Sequence, residues 1–432
     1  MILDKTSYWL KNAHVPLCIL ESPNTYKQTL EGLCQVDMEI DDGRIVQIIP
    51  STTEVGEDKA IDIKKKIILP GFIDMHTHLD KGHLWPRCPN LDGTFDNALS
   101  VAKANAEKYW VQEDVYRRME FGLKCSYAHG TTAIRTHIDS FGQQADISLT
   151  AFSQLQREWA QKITLQAVSL VSLDYYETEA GIALADKMAA VGGILGGVAF
   201  KHPDLEVQLE TVFRLACERG LDLDFHADEN DDPDSDCLRA IARTALKTRF
   251  QGKIICGHCC SLAVQSPAVV EETLSLVKEA GIGIVSLPMC NLYLQDRHPD
   301  QTPYWRGVTK VKEIKDKGIP VAFASDNCRD PFYGFGDHDG LEVLRESVRI
   351  AHLDANYGDW CASVSKVPAD LLGLGQMGRL ESGLTANFIV FNARYFSELF
   401  SRPQSDRMVV RKGKSIDSKL PDYAELDDLF LN

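Results

Sequence analysis

The stretch GFIDMHTH (residues 71–78) combines an apolar run with two histidines, His76 and His78. Side chains at positions i and i+2 of a β-strand point to the same face, so both imidazoles can approach one metal ion. Seven further apolar runs of strand length follow along the chain. The eight predicted strands are GFIDMHTH (71–78), TTAIRTHID (131–139), TLQAVSLV (164–171), GGVAF (196–200), LDLDFHAD (221–228), KIICGHC (253–259), GIGIVSLP (281–288) and PVAFASD (320–326).

The segments between these strands show helical periodicity. One predicted helix begins near Pro267 and ends before Gly281, with proline near its start and glycine just past its end. Eight alternations of strand and helix favour a (β/α)8 TIM barrel over a doubly wound sheet. Another helix, which ends before Gly220, places apolar residues on one face: Leu205, Leu209, Val212, Phe213 and Ala216.

Both ends of the chain have β character. In VDMEIDDGRIVQIIP (36–50), alternating apolar residues flank Asp41-Asp42-Gly43, which is typical of a hairpin turn. Short β runs return in GRLESGLTANFIVFNARYF (378–396) and RMVVRKGKSI (407–416). We therefore predict an α/β protein with a barrel over residues 71–375. A small β-sandwich domain would be built from both chain ends, residues 1–70 and 376–432.

The charge balance excludes one class of partner. The chain has 46 Lys and Arg against 62 Asp and Glu, a formal net charge of −16. Such a surface repels a phosphate backbone, so no nucleic-acid partner is expected. No segment approaches the roughly 18 apolar residues of a membrane span, and the first ten residues, MILDKTSYWL, lack the apolar core of a secretory signal. We therefore expect a cytoplasmic protein with no membrane partner.

Residues that can bind metal or transfer protons end four of the predicted strands. Strand one ends in His76 and His78, strand five in His226, strand six in His258 and strand eight in Asp326. The carboxyl ends of barrel strands meet at one face, where TIM-barrel active sites lie. Imidazoles with one carboxylate suit a divalent ion such as Zn²⁺ or Fe²⁺ and leave a position for water.

This donor set predicts metal-assisted hydrolysis, because a bound divalent ion lowers the pKa of water towards about 7. Glu229, three residues after His226, is placed at the strand end to carry a proton to a leaving amine. Asp326 can bind the ion and also accept a proton from the attacking water. We predict a small-molecule substrate and one divalent metal ion per chain.

Six segments, taken together, resemble the amidohydrolase superfamily, and more narrowly its cytosine deaminase branch, which includes the N-isopropylammelide aminohydrolases. The similarity extends from about residue 71 to 350 and is compatible with the split β domain of that superfamily. The segments are LPGFIDMHTHLD (69–80), FHADEND (225–231), GHCCS (257–261), CNLYLQDR (290–297), YWRGVTKVKE (304–313) and ASDNCRDPFYGFG (324–336).

The resemblance implies a deaminase that releases ammonia from a cytosine-like aminopyrimidine or related nitrogen heterocycle. It makes Glu229 the proton shuttle and His258 a group that polarises the hydroxide or the substrate. It implies zinc or iron as the metal and, because relatives commonly self-associate, a homo-oligomer. The implied ligands of a single metal ion are His76, His78, His226 and Asp326.

Two positions depart from the cytosine deaminase pattern and bear on the substrate. Ser172 stands where those enzymes have a glutamine, and Asn327 stands where they have a second aspartate. Asparagine donates and accepts hydrogen bonds, whereas an ionised aspartate only accepts. The ring edge that is recognised must therefore differ, or water must bridge to it.

Three further side chains are candidate substrate contacts. Lys81 and Trp85 lie in the loop after strand one, and Phe332 follows strand eight. Trp85 or Phe332 could face a planar ring, and Lys81 could bond a ring carbonyl. Packing of the two aromatic side chains within the loops is the alternative.

The sequence is also compatible with other functions. A binuclear cyclic-amide hydrolase, like hydantoinases and dihydroorotases, would need Lys201, after strand four, to bridge two ions. An N-substituted aminotriazine aminohydrolase is a further alternative. A non-catalytic scaffold is disfavoured, because such a protein is expected to lose its metal ligands.

Overall fold

The computed structural model describes residues 3–21, 25–51 and 60–430, so parts of the predicted N-terminal β segment, including residues 52–59, lie outside the described residues. The described residues contain these strands: β1 (Ser7–Pro16), β2 (Leu33–Asp41), β3 (Arg44–Pro50), β4 (Ala60–Asp62), β5 (Ile67–Pro70), β6 (Phe72–Thr77), β7 (Thr131–Asp139), β8 (Thr164–Leu170), β9 (Leu195–Ala199), β10 (Leu223–Ala227), β11 (Ile254–His258), β12 (Gly283–Ser286), β13 (Val321–Phe323), β14 (Phe388–Phe391), β15 (Met408–Arg411) and β16 (Lys414–Ser415).

Helices occupy most of the intervals between these strands. They are α1 (Phe95–Tyr109), α2 (Gln112–His129), α3 (Gln143–Trp159), α4 (Glu179–Ala190), α5 (Leu205–Arg219), α6 (Cys237–Thr248), α7 (Pro267–Glu279), α8 (Pro288–Leu294), α9 (Val311–Asp316), α10 (Gly340–Ile350), α11 (Tyr357–Trp360), α12 (Lys366–Leu371), α13 (Phe396–Phe400) and α14 (Asp427–Phe430).

All eight strands predicted for the central part of the chain are present, as β6 to β13. They form two sheets, in the orders β6-β7-β8 and β13-β12-β11-β10-β9. Strands β7 and β8 pair in parallel, and so do the neighbours within the second sheet. Isolated parallel bridges join Thr77 to Asp326 and Val168 to Ile194. The α/β class with parallel sheets is therefore confirmed, and closure into a barrel stays a prediction.

The two chain ends enter one further sheet, in the order β16-β15-β14-β5-β1-β2-β3, with β4 beside β1. The predicted hairpin joins β2 to β3 at Asp42 and Gly43, whose φ angles of 43° and 75° suit a tight turn. Strand β14 pairs antiparallel with β5, which places C-terminal residues beside N-terminal ones. The described residues form a single sheet here, so the sandwich form stays a prediction.

The two helices predicted from periodicity are confirmed as α5 and α7. Helix α5 ends at Arg219, and the following Gly220 has a left-handed φ of 63°. Helix α7 begins at Pro267, and the hydroxyl of Ser266 accepts a hydrogen bond from the Val269 N–H. The apolar face of α5 is buried as its spacing predicts: Leu205, Leu209, Val212, Phe213 and Ala216.

Contacts divide the chain into two compact units. The first comprises residues 1–73, 125–132 and 339–420, and the second comprises residues 74–124, 133–338 and 421–432. The second unit contains β8 to β13, β7 from its third residue onward, and every candidate site residue. Within the described ranges, no helix is long and apolar enough to cross a membrane. The predicted domain boundaries stay a prediction.

Candidate metal centre and active site

Four donor atoms from three strand ends converge in the second unit. The Nε2 atoms of His76 and His226 lie 3.2 Å apart, and those of His226 and His78 lie 3.4 Å apart. Asp326 Oδ1 lies 3.6 Å from His76 Nε2 and 3.2 Å from His78 Nε2. Donors held about 2.0–2.2 Å from a tetrahedral ion lie about 3.3–3.6 Å from one another. The spacing therefore fits one small divalent cation.

The backbone explains why these donors meet. His76 and His78 bracket Thr77 at the end of β6, and the Thr77 hydroxyl donates to the Asp326 carbonyl at 2.7 Å. The Asp326 N–H donates to the His76 carbonyl at 2.9 Å. Asp326 itself has a left-handed φ of 61°, so the chain turns sharply after β13 at the donor position.

Burial makes the donors suitable for a metal. It lowers the pKa values of His76, His78 and His226 well below the ordinary histidine value, so their neutral, metal-binding form is favoured. Burial raises the pKa of Asp326 to about 7, with His258 acting in the opposite direction. Neither Asp326 carboxylate oxygen has a hydrogen-bond partner among the described residues. A bound cation would satisfy these buried oxygens.

Glu229, His258 and Asn291 form a hydrogen-bonded group beside the donors. His258 Nδ1 lies 3.1 Å from Glu229 Oε1, and the Asn291 amide donates to the same oxygen at 3.2 Å. Asn291 Nδ2 also lies 3.0 Å from His258 Nδ1. Burial alone would lower the pKa of His258, but the carboxylate of Glu229 raises it overall. The His258 ring lies 4.8 Å from that of His226, so the group borders the metal donors.

The turn after β10 fixes the backbone next to Glu229. Asp228 has a left-handed φ of 52°, and its carboxylate accepts hydrogen bonds from the N–H groups of Cys237 and Leu238, both at 2.9 Å. These N–H groups belong to the first turn of α6, which a carboxylate stabilises. Asp228 is thus a structural cap, and Glu229 is left beside His258.

Lys81, Phe332 and Asn327 are brought together near the donors. The buried Lys81 ammonium pairs with Asp139 at 2.8 Å and lies 5.1 Å from the centre of the Phe332 ring. The Asn327 amide donates to Asp330 Oδ2 at 2.7 Å, which leaves its carbonyl oxygen as the acceptor for other partners. Phe332 also packs in an apolar cluster with Ala98, Ala102 and Leu294.

Ser172 and Trp85 lie in the segments that follow β8 and β6. Ser172 follows β8, is half-buried, and forms a parallel bridge with Val198. Trp85 is also half-buried and packs on the backbone of Gly334, where an added Cβ would lie 3.0 Å from the indole ring. That contact is the kind expected if Trp85 packs within the loops rather than against a substrate ring.

Two residues of this site, Asn291 and His137, are absent from the sequence predictions. Asn291 lies within α8 rather than at a strand end, so no strand pattern could indicate it. His137 lies two residues before the end of β7, and its ring centre lies 4.0 Å from that of His76. One nitrogen each from His76, His137 and His226 lie within 4.8 Å of one another. The rule that metal ligands end barrel strands, applied to TTAIRTHID, could have indicated His137.

Lys201 lies apart from the donors. Its ammonium pairs with Asp232 at 2.8 Å, and both side chains are nearly half exposed, at 49% and 41%. The lysine that the binuclear alternative requires is therefore held at the surface by a different partner.

Comparison with known proteins places these features in a family. A sequence model of the Amidohydrolase family matches residues 177–417. A pterin deaminase from Rhizobium rhizogenes is 49% identical over 398 residues, which cover 92% of this chain and 91% of the relative. An N-isopropylammelide isopropyl amidohydrolase from Pseudomonas sp. is 25% identical, over 83% and 87% of the two chains. A crystal structure of 5-methylcytosine deaminase from Klebsiella pneumoniae, liganded with 5-fluorocytosine, has a TM-score of 0.81 at 25% identity and covers 96% of this chain and 98% of the other.

Proposed function

This chain belongs to the amidohydrolase family, and we propose that it is a metal-dependent deaminase that hydrolyses the 2-amino group of a pterin. One observation carries the proposal: four donor atoms suited to a divalent ion lie beside a carboxylate that can transfer protons. The 49% identity to a pterin deaminase, over 92% of the chain, supports a pterin rather than cytosine itself.

A single Zn²⁺ or Fe²⁺ ion is the proposed cofactor. Its ligands would be His76, His78, His226 and Asp326, whose donor atoms lie 3.2 to 3.6 Å apart where they are neighbours. A divalent ion bound there would supply Lewis acidity to activate water for attack on carbon. The exposed position of Lys201 supports one ion rather than two.

Glu229 would perform the proton transfers. Water adds to C2 of the pterin, and Glu229 passes one proton from that water to the adjacent ring nitrogen. A second proton goes to the exocyclic nitrogen, which leaves as ammonia, and C2 becomes a carbonyl carbon. Asn291 and His258 hold the Glu229 carboxylate at 3.2 and 3.1 Å, so its position is fixed before substrate binds. His258 would stabilise the charge that develops at the attacked carbon, and Asp326 is a second acceptor for a water proton.

The substrate ring would be held by residues after β6 and β13. The pyrimidine half of a pterin carries an amino group between two ring nitrogens, as an aminopyrimidine does. The side-chain NH2 group of Asn327 donates to Asp330, so its side-chain carbonyl oxygen would be the atom that accepts a hydrogen bond from the substrate ring. In this proposal Lys81 would bond a ring carbonyl, Phe332 would contact the ring face, and Ser172 and Trp85 would be further substrate contacts.

The same proposal includes the architecture. We infer that β6 to β13 close into a (β/α)8 barrel within residues 71–375, and that the two chain ends form a small β domain. The parallel bridges Thr77–Asp326, Val168–Ile194 and Ser172–Val198 support closure, because they link the two parallel sheets at both edges. A homo-oligomer is part of the proposal, and light scattering of the purified protein tests it.

An ammonia-release assay tests the proposed activity. Protein treated with chelator and then reconstituted with Zn²⁺ or Fe²⁺ is offered pterin, cytosine, 5-methylcytosine and N-isopropylammelide. We expect ammonia from pterin, with about one metal ion per chain. An Asp326→Asn variant should lose both metal and activity. Release from cytosine alone would overturn the substrate, two ions per chain would favour the binuclear alternative, and inactivity on every compound would overturn the proposal.

A further inference from the structure

The three histidine donors lack the hydrogen bonds that usually orient a metal-bound imidazole. A histidine that binds a metal through one ring nitrogen ordinarily donates from the other nitrogen to a carboxylate or a carbonyl. Among the described residues, the Nδ1 atoms of His76, His78 and His226 have no hydrogen-bond partner, although all three side chains are buried. Of the interactions that these residues offer, packing is the one that can set the direction of each Nε2 atom.

His76 has two close packing contacts. The ring centre of His137, on β7, lies 4.0 Å from that of His76, and the two planes are inclined by 36°. The second contact comes from Gly257, on β11, where an added Cβ would lie 2.8 Å from His76 Cε1 and 3.1 Å from its Nδ1. A Cβ cannot approach a ring carbon this closely, so a larger residue at position 257 would displace the imidazole. The glycine thus permits the observed ring position.

His137 also contacts a second donor. Its ring centre lies 4.7 Å from that of His226, with the planes nearly perpendicular at 88°. Neither nitrogen of the fully buried His137 has a hydrogen-bond partner within the described ranges, and its Nε2 lies 3.8 Å from Asp224 Oδ1. By contrast, the donor nitrogens lie 3.2 and 3.4 Å from one another. These distances favour packing of His137 against the donors over direct binding of the ion.

A buried ion pair lies in the next layer of the same two strands. Arg135 and Asp224 precede His137 and His226 by two residues, so each shares a strand face with the histidine that follows it. Arg135 donates to Asp224 at 2.8 Å and to Gln166 at 2.9 Å. Removing one partner of such a pair is strongly destabilising, so the layer resists displacement. His137 is therefore attached to a firmly held part of β7.

We propose that His137 and Gly257 are positioning residues of the metal centre, which hold the His76 imidazole in its metal-binding orientation. His137 would restrain His226 in the same way. This role rests on the proposed metal-dependent function and extends it to two residues that bind neither metal nor substrate. Ring packing replaces the hydrogen bond that orients most metal-bound histidines.

The metal affinity of full-length apoprotein tests this role, with Zn²⁺ titrated against a chromophoric chelator. We expect the Kd of His137→Ala to rise about 10- to 100-fold, the usual effect of losing a group that orients a metal-bound histidine. His137→Phe keeps a flat ring but has no nitrogen. Its Kd should stay within about threefold of wild type, since apolar replacements of similar shape are tolerated best. The visible absorption of bound Co²⁺, which reports coordination geometry, should change in His137→Ala and not in His137→Phe.

Gly257→Ala tests the second contact independently. The His76 ring can turn away from the new methyl group, so we expect a folded protein whose Kd for Zn²⁺ is about 10-fold higher. The matched control is Gly197→Ala on β9, where an added Cβ would lie 2.5 Å from the Val171 carbonyl oxygen and 3.0 Å from Leu173. That control should lower Tm and leave the Kd unchanged, which separates a loss of stability from a displaced donor.

The outcomes distinguish this role from the proposed function. If His137→Phe binds Zn²⁺ as weakly as His137→Ala, a nitrogen of His137 is needed and the packing role is wrong. If His137→Ala and Gly257→Ala both keep the wild-type Kd and Co²⁺ spectrum, the role is also wrong, and the proposed metal-dependent function stands. If wild type binds neither Zn²⁺ nor Co²⁺, both are wrong.

Discussion

The metal donors and the loops that carry the proposed substrate contacts are held in place by different kinds of structure. The donors are side chains at strand ends, buried to 5% exposure or less, and neighbouring strands fix them through backbone pairing. These loops, which we call the rim, follow β6 and β13. Their position depends on contacts between side chains distant in sequence, and Phe335, in the loop after β13, is 63% exposed. The proposed chemistry therefore resides in the strands, whereas substrate choice depends on loop contacts. Substitutions in the two regions should have different kinetic effects.

Glu229→Gln tests the buried region and should have the largest effect on turnover. Glutamine keeps the size and the hydrogen bond from Asn291 but cannot carry a proton. We expect kcat to fall by about 10²-fold or more, the usual contribution of a general acid–base. Metal content, measured by elemental analysis, should equal that of wild type. Glu398→Gln, an exposed glutamate paired with Arg394, is the control. Near-normal turnover in Glu229→Gln would show that another group transfers the proton.

Asn291→Ala tests the positioning of that carboxylate. Asn291 contacts both Glu229 and His258, at 3.2 and 3.0 Å, so its loss should free the carboxylate without removing it. We expect kcat to fall about 10-fold, in line with other residues that orient reacting groups. The pH dependence of kcat should also shift, which a purely structural defect would not cause. Asn392→Ala, whose amide bonds the exposed Asp406, should change neither. An unaltered pH profile would argue against a positioning role.

The same contrast explains what could be predicted from sequence. Apolar runs located all eight central strands, and the polar residues at their ends predicted side chains that the structure brings together, including Glu229 and His258. Asn291 could not be predicted in this way, because it lies in a seven-residue helix after β12 rather than at a strand end. Nothing in CNLYLQDR indicates which residue faces Glu229, because that depends on how the chain turns at Pro288. The packing of Trp85 on Gly334 likewise depends on a contact between loops about 250 residues apart.

Asp114→Asn tests how remote residues hold the loop after β6. Asp114 pairs with Arg118 at 2.7 Å, and Arg118 donates to the carbonyls of Asp80 and Gly82, which flank Lys81. Removing one member of a buried pair costs about 3–5 kcal/mol of stability. We expect a lower Tm and a KM for pterin several-fold higher, with kcat changed less than in Asn291→Ala.

The pH dependence of stability gives this prediction a sign. Burial would raise the pKa of Asp114, but Arg118 and Arg87 outweigh burial and hold it below the ordinary value. A carboxylate whose pKa is lowered by folding stabilises the fold above its unfolded pKa of about 3.9, and that contribution is lost as pH falls towards its folded pKa. Below about pH 4, the Tm of wild type should therefore fall more steeply than that of Asp114→Asn. Parallel Tm curves would contradict this account.

Tyr423→Ala should have the smallest effect, because the contacts that it removes beside the loop after β13 lie at the surface. Besides Arg329, the exposed Tyr423 ring contacts Phe121 at 5.6 Å, and its hydroxyl donates to Asp337 at 3.4 Å. The Arg329 guanidinium lies 4.5 Å from the Tyr423 ring centre, and Arg329 is three residues from the donor Asp326. An exposed cation–π contact contributes about 0.5–1 kcal/mol. That energy corresponds to a two- to fivefold rise in KM for pterin, with kcat and metal content unchanged. The matched control is Tyr395→Ala, since Tyr395 is also partly exposed beneath an arginine, at 6.0 Å, but lies in the first unit. An equal rise in KM in both variants would mean that KM responds to a general loss of stability rather than to the position of the loop after β13. A loss of kcat in Tyr423→Ala alone would mean that a change in the loop after β13 also alters the metal donors. Catalysis could then no longer be assigned to the strand ends and substrate choice to the loops.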